Sequence, residues 1–214
     1  MSQMPKKHVT WDPIKKLLWL LPVMPAAVLA AFFALRRYAV PAWVTWGQRE
    51  LTWGFEDSAA DDGEARDQDI FAGPVTLRIS HGRAVLQGVS GEKLFSSDKG
   101  MRVQDGLFAD LDRDGVPEMV LLVWRRGQYG SHRPYWVTEE ERGFVQHLYV
   151  YRFDRSGRPV PMWFSSDTGM ELTSLRTHEK NASLLVLEDV SGAVTVWRWT
   201  DFGPELAEQG EPAE

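Results

Sequence analysis

The stretch "FADLDRDGVPEMVLLVW", Phe108 to Trp124, joins two unlike halves. Its first half alternates Asp110, Asp112 and Asp114 and then places Gly115. Its second half, from Glu118, is an unbroken apolar run too short for a stable helix and rich in β-formers, which reads as a buried strand. Alternate side chains of a tight loop point inward, so carboxylates at loop positions 1, 3 and 5 converge on one centre. Glycine at position 6 permits the sharp turn, the carbonyl of Val116 at 7 adds an oxygen, and Glu118 at 9 closes the shell. Hard oxygen donors in a flexible loop select calcium. Three carboxylates this close would otherwise repel strongly. The same residues also fit an ordinary acidic turn.

Outward from this stretch the chain alternates turns and short strands. "VTLRISHGRAVLQGV" turns at His81-Gly82, "HLYVYRFDRSGRPVPMWF" at "DRSG", and "ASLLVLEDVSGAVTVWRW" at "DVSG". "LFSSDKGMRV" (Leu94 to Val103) recurs as "WFSSDTGMEL" (Trp163 to Leu172), and each copy is followed by an aliphatic and then an aromatic strand. A repeat that runs strand for strand marks a repeated sheet unit. Residues 105–164 give one four-stranded meander, with the long loop 127–144 inserted. Residues 171–207 give a shorter one, and the segment before Ser96 supplies a more degenerate third. Ten Trp, five Tyr and ten Phe suit sheets better than helical bundles. The aromatic strand residues Trp124, Tyr151, Phe153, Trp197 and Trp199 are expected in the core. The recurring Ser96-Ser97 and Ser165-Ser166 are expected to serve turn hydrogen bonds rather than act as nucleophiles.

The aspartate loop is not an EF-hand, because Leu121 stands at position 12 and strands flank it. It resembles the calcium-binding repeat of integrin-type β-propellers, the FG-GAP or VCBS family, whose D-x-D-x-D-G-x-x-[DE] pattern sits between two strands of a blade. The resemblance implies calcium held by Asp110, Asp112, Asp114, Val116 and Glu118. It also implies an all-β fold of propeller-like antiparallel four-stranded meanders, three to four in number. It is tight over residues 105–124 and loose over 90–205. The second unit has "LRTHEKNASLLVL" where the acids would stand, so that loop is expected to be metal-free.

"LLWLLPVMPAAVLAAFFAL", residues 17–35, carries no charge. As a helix it spans roughly 28 Å, close to a hydrocarbon core. Lys15 and Lys16 precede it, Arg36 and Arg37 follow, and Pro22 and Pro25 bend it. It reads as one N-terminal transmembrane helix that anchors the chain. A cleaved signal peptide and a buried helix are the competing readings. The four lysines before it place the N-terminus in the cytoplasm and the body outside the cell membrane.

The expected organisation is a basic tail at 1–16, the membrane helix at 17–37, and a juxtamembrane segment with an acidic loop at 38–72. A β-propeller-like domain at 73–207 and a flexible tail at 208–214 follow. The acidic loop is "EDSAADDGEARDQD", residues 56–69. The net charge of −6 combines a basic N-terminal tip with an acidic body, which excludes nucleic acid as the main partner. No cysteine is present, so disulfides, Cys-bound zinc and thiol catalysis are excluded.

Loop 127–144 is longer than two paired strands need, and its Tyr129, His132, Arg133, Tyr135 and Trp136 offer stacking and hydrogen bonds to a glycan or peptide. Burial of Tyr135 and Trp136 against the sheet edge is the simpler alternative. No catalytic triad, phosphate loop or His-based metal spacing is present. The expected role is therefore binding or protein interaction by a membrane-anchored domain stabilised by calcium. A glycan-acting enzyme of the cell surface and a structural subunit of a membrane complex are the alternatives. The partners expected are the bilayer through residues 17–35 and an unknown protein or glycan. Self-association is a further expectation, because three units leave a propeller open.

Overall fold

The computed structural model describes residues 39–54, 74–127, 143–165 and 168–209. Twelve strands occur in these residues: β1 Arg49–Trp53, β2 Val75–Ser80, β3 Arg83–Gln87, β4 Lys93–Ser96, β5 Arg102–Ala109, β6 Glu118–Arg126, β7 Phe144–Phe153, β8 Pro159–Phe164, β9 Leu172–His178, β10 Asn181–Asp189, β11 Val194–Thr200 and β12 Gly203–Gln209. They form three four-stranded sheets in sequence order, β1 to β4, β5 to β8 and β9 to β12, with every pairing antiparallel. The protein is thus all-β across the described residues, as the alternation of turns and short apolar runs indicated. Among the described residues no helix is long and apolar enough to cross a membrane. The apolar run 17–35 and the acidic stretch 56–69 lie outside them.

The middle sheet is buried on both faces, and this explains the unbroken apolar run of β6. Met119, Leu121 and Val123 face the first sheet and join Val75, Leu77, Ile79 and Leu86. Val120 and Leu122 face the third sheet and join Leu172, Leu175, Leu185 and Leu187. Side chains alternate along a strand, so a strand with only one buried face would show polar residues at every second position. All five of these β6 side chains are fully buried, each contributing about 1.5–3 kcal/mol of apolar transfer. β7 divides in the same way, with Tyr149 and Tyr151 on one side and Leu148 and Val150 on the other. The aromatic strand residues are core: Trp124 is buried, Tyr151 and Phe153 pack in the first cluster, and Trp197 and Trp199 pack against the second.

β5 is the strand on which all three sheets meet. At its middle Gly106 leaves no room for a side chain. A Cβ there would lie 2.7 Å from Leu121 Cδ2, 2.9 Å from Ile79 Cδ1 and 2.9 Å from the Val120 carbonyl. Beside it, the buried Asp105 carboxylate pairs with Arg49 of β1 at 3.2 Å and accepts the Gly106 N–H at 2.8 Å and the Leu175 N–H. The N–H of Gly47 donates to the Gln104 carbonyl at 3.1 Å. The expected domain boundary at residue 73 falls inside the first sheet, since β1 pairs with β2 from Arg49↔Ile79 to Trp53↔Val75.

The sequence repeat is present in the structure, one residue out of step. The Ser97 hydroxyl accepts the Ala84 N–H at 3.1 Å, and the Ser165 hydroxyl accepts the Leu148 N–H at 2.8 Å. These hydroxyls are occupied by backbone, as expected of turn serines. Yet the sequence aligns Ser165 with Ser96, not with Ser97. In keeping with that slip, Phe95 packs from the first sheet toward the second, whereas Phe164 packs from the second back toward the first. A one-residue shift exchanges the faces of a strand.

Candidate metal centre

The Asp110–Pro117 loop connects β5 to β6. Two residues close together adopt left-handed backbone, Arg113 (φ 65°) and Gly115 (φ 89°). Glycine meets this without steric cost, and the arginine does not. The loop is held by its own carboxylates. The N–H of Asp114 donates to Asp112 Oδ1 at 3.2 Å, that of Gly115 to Asp110 Oδ2 at 3.2 Å, and that of Val116 to Asp114 Oδ1 at 2.7 Å. Glu118, the first residue of β6, is buried, and its Oε2 accepts the Leu111 N–H at 2.8 Å.

Asp110, Asp112 and Glu118 each bring a carboxylate oxygen into one group, all within 4.8 Å of one another. Asp114 stays exposed and gives its Oδ1 to Val116, so the structure does not bring it into that group. Asp110 Oδ1 is buried and has no hydrogen-bond partner. A buried carboxylate oxygen without a donor is costly, and a cation at this point would satisfy it.

The electrostatics point the same way. Burial pushes the Glu118 carboxyl up to about 8; the Leu111 N–H opposes that rise, and the nearby Asp112 and Asp114 add to it. Asp112 is also raised, first by burial, with the Asp114 N–H opposing and the charges of Asp114 and Asp110 adding. Without a counter-charge the cluster resists full ionisation. With a small hard cation at its centre the same oxygens become ligands.

The second candidate group, Tyr129, His132, Arg133, Tyr135 and Trp136, lies outside the described residues. His147 is a core residue: its ring is fully buried, lies 5.7 Å from that of Tyr149, and its Nδ1–H donates to the Ser165 carbonyl at 3.2 Å. A cleft of about 220 Å³ lies between the second and third sheets, walled by Leu148, Trp163, Met170, Leu187 and Trp197. Among the described residues no titratable side chain lines it.

Sequence reading missed a buried polar cluster that ties the second sheet to the third. Gln104 Nε2 donates to the Leu172 carbonyl at 3.0 Å, and Gln104 Oε1 accepts from Trp124 Nε1 at 2.7 Å and from Gln146 Nε2 at 2.8 Å. The available signal was a glutamine inside each of two otherwise core-forming strands. No family model, no curated protein and no solved structure matches this chain.

Proposed function

We propose that the chain is a membrane-anchored extracytoplasmic β-domain, stabilised by one calcium ion and acting as a binding or protein-interaction module. The convergence of Asp110, Asp112 and Glu118 around the orphaned Asp110 Oδ1 carries the calcium reading. Asp110, Asp112 and Glu118 would supply carboxylate oxygens, with Asp114 and the Val116 carbonyl completing the shell after a small closure of the loop. The ion's role is structural, locking the β5–β6 connection against the core end of Glu118. Three successive four-stranded meanders, each packed on the next, support the propeller-like reading drawn from the FG-GAP or VCBS resemblance. The uncharged run 17–35 supports the anchor.

The aromatic walls of the cleft between the second and third sheets, Trp163 and Trp197, support a binding role. Melting of the full chain in detergent, with chelator and with millimolar calcium, tests the ion. Calcium should raise the melting temperature, and Asp112→Ala should remove the difference. Binding to the folded state alone is worth about 2.7 kcal/mol at a hundredfold excess over Kd. Identical curves under the two conditions would overturn the calcium reading. Retention of the chain on membranes through high-salt and carbonate washes tests the anchor, and release would overturn it.

A further inference from the structure

The turn between β11 and β12 holds a phenyl ring out in water beside the aromatic cleft. Asp201 and Phe202 form that turn, and the pairing of Thr200 with Gly203 closes it. The Thr200 hydroxyl donates to the Gly203 carbonyl at 2.8 Å and accepts the Phe202 N–H at 3.4 Å. Phe202 is 95% exposed, the most exposed large apolar side chain among the described residues. A tight two-residue turn fixes the backbone that carries the ring, so covering the ring orders little chain.

The cleft begins one residue later. Gly203 lies against the Trp163 indole, where a Cβ would come 2.5 Å from Nε1. Pro204 then lines the cleft with Leu148, Trp163, Met170, Leu187 and Trp197. Leu206 is in register with Trp197, so both lie on the cleft side of the third sheet, and Leu206 is 43% exposed. Phe202, Trp163, Pro204, Trp197 and Leu206 make one apolar surface, and such surfaces mark interaction sites. An apolar cavity of about 150 Å³ holds benzene, so a cleft of about 220 Å³ has room for a phenyl ring.

The charges around this surface suit a second copy of it. Asp201 is exposed beside Phe202. Arg152 is exposed on β7, two residues beyond Val150, which packs toward the third sheet and is in register with Trp163. Alternation puts Arg152 on that same side. The projecting ring therefore carries a negative neighbour, and the side of the cleft formed by β7 and β8 carries a positive one. A projection and a hollow on one surface fill each other twice over when two copies meet about a two-fold axis.

We propose that the chain pairs with a second copy of itself about a two-fold axis, with Phe202 of each copy seated in the cleft of the other and Asp201 against Arg152. The proposal rests on the protein-interaction reading and deepens it by naming the partner. Each seated ring takes about 150–250 Å² out of contact with water. Two rings flanked by the Leu206 side chains make an interface at the small end of specific complexes, so the pairing is weak and depends on concentration.

The test is sedimentation equilibrium of the full chain in density-matched detergent at micromolar concentrations, in chelator so that ions at the Asp110–Pro117 loop do not bridge copies. The parent should show a monomer–dimer equilibrium. Burying one phenyl ring favours association by at least about tenfold, so Phe202→Ser, which empties both clefts, should weaken the dimer by about 100-fold or more. Phe202→Leu should retain most of the association. Met170→Trp, which fills the cleft, should weaken it as Phe202→Ser does. Val89→Ser, at an exposed valine in the connection between β3 and β4, should leave it unchanged. Arg152→Asp should weaken the dimer severalfold, and adding Asp201→Arg should restore it. Thermal melting identifies a variant that fails to fold. A dimer undiminished by Phe202→Ser and Met170→Trp overturns the seat in the cleft and leaves the interaction reading standing. Failure of the charge exchange to restore pairing overturns the two-fold arrangement. A chain monomeric at every concentration overturns the pairing, and if crosslinking of the same chain in its membrane also yields no adduct, the interaction reading falls with it.

Discussion

The side-chain amide of Gln146 and the backbone of Leu172 hydrogen-bond in both directions. Gln146 Nε2 donates to the Leu172 carbonyl at 2.8 Å, and the Leu172 N–H donates to Gln146 Oε1 at 2.6 Å. The glutamine acts as a one-residue strand partner and holds the start of β9 against the middle sheet. Gln146→Ala strands the Leu172 N–H in a buried site, while the Leu172 carbonyl keeps Gln104 Nε2 and Gln104 Oε1 keeps the Trp124 Nε1–H. We expect a loss of about 1–3 kcal/mol, the cost of one buried unsatisfied group. Urea unfolding of the variant against the parent measures it.

Glu118 should show opposite signs with and without calcium. Its carboxyl is buried among other acids, so in chelator Glu118→Gln removes an unfavourable group and should leave stability unchanged or higher. On the proposed calcium reading, millimolar calcium gives the parent a ligand interaction that the glutamine lacks, and the variant should melt lower. Melting curves in the two buffers check the reversal. Loss of stability of the same size in both would show that Glu118 acts only through its hydrogen bond to Leu111.

Gly106→Ala should destabilise by about 1–3 kcal/mol, the usual cost of overpacking a filled core. Two of the atoms it meets are side-chain methyls that can yield, but the Val120 carbonyl is backbone. The denaturant midpoint should fall. An unchanged midpoint would mean that the first and second sheets separate at no cost.

Asp105 supplies a dependence on pH. Burial raises its carboxyl above the ordinary range, the dominant cause, against the Gly106 N–H, the Arg49 charge and the Leu175 N–H. An acid with a raised folded-state pKa keeps its proton longer in the folded chain than in the unfolded one. Its contribution is therefore most favourable below the unfolded value, near pH 3.8, and declines as pH rises through the raised folded value. Asp105→Asn lacks that decline. The melting temperature of the variant minus that of the parent should become more positive from pH 4 toward neutrality, as read by parallel melts. A difference that moves the other way would show that the Arg49 pair outweighs burial.

Sequence alone determined the parts of this protein whose physics is local. The unbroken run Met119–Val123 announced a strand buried on both faces, because only such a strand needs apolar side chains at consecutive positions. The turn residues of "DRSG" and "DVSG" announced two hairpins, and both are closed the same way: Asp154 and Asp189 each accept a serine hydroxyl and two backbone N–H groups on one oxygen. The spacing of Asp110, Asp112 and Glu118 was legible because a tight loop fixes which side chains converge.

Tertiary structure alone decided how the sheets join. Gln104 and Gln146 look like surface residues until the start of β9 arrives to fill their hydrogen bonds. Asp105 looks like one more acid until Arg49 reaches it from before the acidic stretch. The orphaned oxygen of Asp110 and the engagement of Asp114 with the Val116 N–H depend on how the loop settles on Glu118, not on spacing. The repeat in the sequence places Ser96 and Ser165 in equivalent positions, but strand register places Ser97 there instead. Register is set by which face must be buried against a distant sheet, and that requirement is written in contacts between residues far apart in the chain.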